Sequence, residues 1–107
     1  MTSVKETQHD SRDPGSRRAR DGGNKATKLQ LATLVNEKIA ILRLGQTDVA
    51  RLLGLTQPKV SALANGKLSG FSVEKLMELL TKLGADVEIV VRKAPKAAEA
   101  KIHIRAA

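Results

Sequence analysis

The chain contains no cysteine, tryptophan or tyrosine and a single phenylalanine, Phe71. Without thiols it can form neither disulfides nor thiolate metal sites, and it fits a reducing compartment. Its two histidines, His9 and His103, lie far apart without ligand-like spacing, so no metal and no other cofactor is expected. The scarcity of aromatic rings removes the stacking platforms on which single-stranded nucleic-acid binders and sequence-reading RNA modules depend. Apolar runs fall short of the roughly 20 residues of a membrane span, and the N-terminus is polar from Thr2 onward. Neither insertion nor a secretory signal is expected, and the chain reads as cytoplasmic.

What is present is basic charge. The 107 residues carry 19 lysines and arginines against 11 acids, a formal charge of +8, with an isoelectric point near 10.2. Such a surplus favours an anionic partner. It is spread along the chain, about +2 before Ala26, about +4 from there to Gly84 and about +2 beyond.

The chain divides by composition into three parts. Residues 1–25 are polar, charged and glycine-rich without apolar periodicity, and are expected to be a disordered tail. Its basic cluster, Arg17, Arg18 and Arg20, could touch a phosphate backbone, although a solvated tail is the plainer reading. Residues 26–84 carry helical patterns. Thr27 is a plausible N-cap for a first helix, in which Leu31, Val35, Ile39 and Leu42 recur at helical spacing. A short second helix, residues 46–53, should bury Val49, Ala50, Leu52 and Leu53. A third is capped by Thr56, buries Val60, Leu63 and Ala64, and stops at Asn65 and Gly66. A fourth is capped by Ser72, with Phe71 and Leu76 at hydrophobic-staple positions and Gly84 at its end. Val73, Leu76, Met77, Leu80 and Leu83 should face inward. After Gly84 the period becomes 2, with Val87, Ile89 and Val91 on one face and Ile102 and Ile104 on another. Residues 85–107 are therefore expected to form a β-hairpin or pair of strands. A lone hairpin is marginal in water, so these strands are expected to serve dimerisation. The fold class is thus mainly α, a four-helix unit followed by two strands.

The stretch "GQTDVARLLGLTQPKVSALANGK", Gly45 to Lys67, holds two short helices with Gly54 at the turn between them. Ala50 is small where the helices cross, and Val60 with Leu63 anchors the third helix on the second, the roles that define a helix-turn-helix. Gln46, Ala50, Gly54, Leu55, Thr56, Gln57, Val60, Ser61, Leu63 and Gly66 resemble the pattern of the XRE family, which is related to phage repressors. More narrowly, "LGLTQPKVSALANGKLSGFSVEKLMELLTKLGADVEIVV" looks like small HigA-like antitoxins of that family. The resemblance covers about 65 residues. It implies a repressor-like four-helix fold that binds double-stranded DNA.

Physical chemistry assigns candidate roles within that unit. A recognition helix presents its N-terminal residues to base edges, which requires slim hydrogen-bonding groups flanked by cations. Thr56, Gln57, Pro58, Lys59, Ser61 and Ala62 are the candidate base-facing residues. Gln57 could make a bidentate contact to adenine, Lys59 could reach guanine or a phosphate, and Ala62 could meet only a thymine methyl. Pro58 suits the first turn, where a missing amide costs little. Gln46, at the positive end of the second helix, is a candidate phosphate contact, as are Asn65 and Lys67 beyond the third. Each has a plainer reading: Gln46 exposed, Asn65 a C-cap, Lys67 a solvated charge.

Two functions from different classes follow. The first is a homodimeric transcriptional regulator, in particular a repressor, on a short inverted repeat. The second, implied by the resemblance, is an antitoxin that binds a RelE-like toxin and represses its own promoter. A net charge of +8 is a poor match for a basic toxin, which ranks it second. Catalysis is not expected: no histidine neighbours a nucleophile and no glycine loop cradles phosphate.

Overall fold

The computed structural model describes residues 14–106, with side chains from Asn24 onward. Among the described residues four α-helices follow one another: α1 (Pro14–Leu42), α2 (Gln46–Leu53), α3 (Gln57–Ala64) and α4 (Val73–Lys82). A 3-10 turn, Ala97–Glu99, lies in the C-terminal segment. No helix among the described residues is long and apolar enough to cross a membrane.

The first helix runs further back than its apolar pattern indicates. It begins at Pro14, a residue whose fixed φ and missing amide suit a first helical turn. Thr27 is consequently an interior helical residue, buried against the core, and not an N-cap. The tail expected to lack order is therefore helical in its backbone from Pro14 on, while residues 1–13 lie outside the described residues. So do the side chains of Arg17, Arg18 and Arg20 and their expected phosphate contact.

The core is one cluster to which every helix contributes. Leu31, Ala32 and Val35 come from α1, Val49, Ala50 and Leu53 from α2, Val60 and Leu63 from α3, and Leu76, Leu79 and Leu80 from α4. Leu68 and Phe71, in the loop between α3 and α4, close it. α1 packs mainly on α4, and α2 on α3. Burial of one leucine side chain is worth roughly 1.5–3 kcal/mol, so the fully buried Leu53, Leu63, Leu76 and Leu79 are its main anchors. Three sequence expectations are corrected at the margins. Leu52 and Ala64 are exposed, and the wholly buried residue of α4 absent from the expected inward set is Leu79. Short helices of two turns cover only a narrow arc, so neighbouring apolar positions fall outside it.

Termination follows local chemistry. Gly54, Gly66 and Gly84 take left-handed backbone angles after α2, α3 and α4. In each case the next amide reaches back over the last turn: Leu55 N donates to Ala50 O, Lys67 N to Ala62 O and Ala85 N to Leu80 O. This is the Schellman arrangement, for which glycine is the least strained residue. α1 ends differently, with Arg43 in the left-handed region at φ 56.

The expected C-terminal strands are not present: among the described residues after Gly84 there is no strand. Only Ile104 and Ala85 pack on the core, while Ile89, Val91 and Ile102 are 65%, 75% and 70% exposed. The alternating pattern is real, but within one chain it has no third strand and no covered face, and two isolated short strands do not hold in water. Among the described residues the architecture is all-helical, and the mainly-α fold class with a β-hairpin is corrected accordingly.

Candidate nucleic-acid interface

The geometry of the α2–α3 pair is set by polar bonds from the other two helices. Asn36 of α1 donates through Nδ2 to Leu63 O at the end of α3, at 3.1 Å. Lys82 of α4 donates through Nζ to Leu53 O at the end of α2, at 3.2 Å. The Leu63 carbonyl accepts this bond beside one from Gly66 N, whereas the lysine reaches a carbonyl of the last turn of α2 and places a cation at the negative end of that helix's dipole. The two short helices are thereby held to a frame that neither could form alone.

The N-terminus of α3 is exposed at Thr56, Gln57, Pro58 and Lys59. Thr56 is the N-cap, its hydroxyl accepting from Lys59 N at 3.3 Å. Pro58 has no amide to offer at the preceding position, so the cap reaches the next residue. Gln57 donates through Nε2 to the Thr47 hydroxyl in the first turn of α2, at 3.2 Å. This bond joins the starts of the two helices. Thr47 is absent from the sequence-derived set. Its position beside Gln46 is visible in the sequence, but its contact across ten residues depends on how α2 and α3 cross.

The remaining base-facing candidates are arranged less openly. Lys59 turns away from the helix start, donating to Gly70 O at 2.8 Å and lying 5.0 Å from the centre of the Phe71 ring. It ties α3 to the loop that follows it, through a charge-assisted hydrogen bond and a cation–π contact. Ser61 is half-buried, and its carbonyl and hydroxyl oxygens accept from Asn65 Nδ2 at 3.0 and 3.5 Å. Ala62 is half-buried and packs against the core cluster.

Of the phosphate candidates, Gln46 is exposed at the first position of α2, where Gly45 supplies no side-chain cap to the free amides. Asp48 lies in the same turn and is paired with Arg51 at 3.3 Å. Asn65 is the C-cap of α3 and is folded back onto Ser61. Lys67 is exposed, with no ion-pair partner among the described residues. The fold thus brings Gln46, Thr47, Thr56, Gln57 and Pro58 to neighbouring helix starts, with Asn65 and Lys67 at the opposite end of α3.

Comparison with known proteins bears on this arrangement. A family model described as "Helix-turn-helix domain" matches residues 12–92. Among solved structures, one named "Putative XRE Family Transcriptional Regulator" is 53% identical and superposes with a TM-score of 0.78. The match covers 81% of this chain and 99% of that one. No curated protein matches the chain.

Proposed function

Starting from the fact that the chain belongs to the helix-turn-helix domain family, in its XRE type, we propose that it binds double-stranded DNA sequence-specifically and regulates transcription. The observation that carries the proposal is the exposed start of α3, where Gln57 is held by Thr47 beside the uncapped N-terminus of α2. A glutamine fixed in this way can present its amide as a paired donor and acceptor to adenine N6 and N7. The free amides at the start of α2 and the Lys67 ammonium supply phosphate contacts on either side.

The protein acts as a homodimer, and as a repressor, on an inverted repeat whose half-sites lie about 34 Å apart, near ten base pairs or a multiple. Selection of bound duplexes from a random pool tests this in one measurement, since recovery of no enriched sequence would remove the proposal. Gln57→Ala should lower affinity by roughly 1–3 kcal/mol and relax preference at one base position, whereas Lys67→Ala should weaken all duplexes alike. A Gln57 variant that keeps full base preference would place the reading residue elsewhere. The role is one of binding and not of catalysis. The antitoxin reading ranks second, since a net charge of +8 opposes a basic toxin.

A further inference from the structure

The end of α3 carries a reactive pair of residues. Asn65 is the one asparagine of the chain followed by glycine, whereas Asn24 precedes Lys25 and Asn36 precedes Glu37. With no side chain on Gly66 to shield it, the Gly66 amide nitrogen can attack the side-chain amide of Asn65. The bond from Gly66 N to Asn65 Cγ forms, the Cγ–Nδ2 bond breaks, and Nδ2 leaves as ammonia with the proton that Gly66 N gives up. Water then opens the five-membered imide at either carbonyl, giving aspartate or its β-linked isomer. Both residues are exposed to water.

The fold holds this pair away from that reaction. Asn65 is the C-cap of α3 at φ −96°, ψ 6°, so the Gly66 nitrogen eclipses the Asn65 backbone nitrogen and not its side chain. Ring closure needs rotation about the bond between the Asn65 Cα and its carbonyl carbon. That rotation breaks the bonds from Gly66 N to Leu63 O at 3.2 Å and from Lys67 N to Ala62 O at 2.9 Å. The side chain must also leave Ser61 O, which accepts from Asn65 Nδ2 at 3.0 Å. We propose that Asn65–Gly66 is a deamidation site of this protein, closed while the last turn of α3 is intact and open when that turn frays. Its consequence for the interface rests on the DNA-binding reading above. A carboxylate at this position can only accept hydrogen bonds, so Ser61 O repels it. It also lies at the negative end of the α3 dipole and offsets the exposed cation of Lys67. Bound DNA, whose phosphates engage this end of α3, keeps the turn closed. Chains on DNA are therefore preserved, and chains left free lose affinity with age.

Ageing the full-length protein in mildly alkaline buffer, followed by intact mass and peptide mapping, tests each part. Folded chains should gain one dalton at Asn65, on the order of tenfold more slowly than the same chains in denaturant, because opening must first break several hydrogen bonds. Asn65→Gln should abolish the gain at this position, since the longer side chain would have to close a six-membered ring. Equal rates in folded and denatured protein would overturn the gate, and conversion at Asn24 or Asn36 ahead of Asn65 would overturn the site. An excess of random-sequence duplex at low salt should slow conversion of folded chains further. Asn65→Asp should bind that duplex on the order of tenfold more weakly, with helicity checked by circular dichroism. If that variant does not fold, aged wild-type protein separated by charge gives the same comparison. An unchanged rate on a bound duplex, or full affinity in the converted chain, would overturn the link to DNA. A chain that binds no duplex at all would remove the DNA reading, while the mass measurements still decide the site.

Discussion

Lys59 carries a contact that its place in the sequence does not announce. Its place in the first turn of α3 and its charge suggest contact with guanine or phosphate, yet its ammonium is held by Gly70 O and the Phe71 ring. In that position it stabilises the junction between α3 and the following loop. Lys59→Met should therefore lower stability by about 1 kcal/mol, through lost hydrogen-bond and cation–π energy, with base preference unchanged. Denaturant unfolding and duplex selection measure the two effects separately, and loss of preference at one base position would return Lys59 to the reading surface. The family pattern marks Gln57, and the structure adds Thr47 as its hydrogen-bond partner.

At the scale of elements, the local signals at helix ends were readable and correct from α2 onward. Thr56 and Ser72 cap α3 and α4, and Phe71 and Leu76 are both buried as the staple requires. The hydroxyl of Ser72 accepts from Lys75 N at 2.9 Å, a shorter bond than the 3.3 Å of Thr56. Ser72→Ala should cost about 1 kcal/mol and Thr56→Ala less, as thermal or denaturant unfolding would show. Equal costs would mean that the bond lengths do not rank the caps. Where local signals misled, a longer-range condition was missing. Thr27 has the composition of an N-cap, but α1 starts at Pro14 and buries that threonine midway. The alternation of residues 87–91 and 102–104 has the period of strands without a sheet to join.

At the scale of the molecule, charge and fold act together. A surplus of +8 shared among the tail, the helical unit and the C-terminal segment predicts strongly salt-dependent binding to duplex DNA. If a dimer neutralises about six phosphates, the slope of log K against log salt should be near −5. Affinity that hardly changes between low and moderate salt would exclude phosphate contact as a main contribution.

The sequence by itself determined the helix-turn-helix, its caps and glycine stops, and the residues at the start of α3, because each depends on chemistry within a few positions of the chain. The tertiary structure alone decided which polar side chains remain available to a partner. Only the crossing of α2 and α3 brings Thr47 to Gln57, only the packed loop turns Lys59 aside, and residues 87–91, with no strand beside them among the described residues, stay exposed. Those outcomes depend on contacts between segments distant in sequence, whose relative placement no local period encodes.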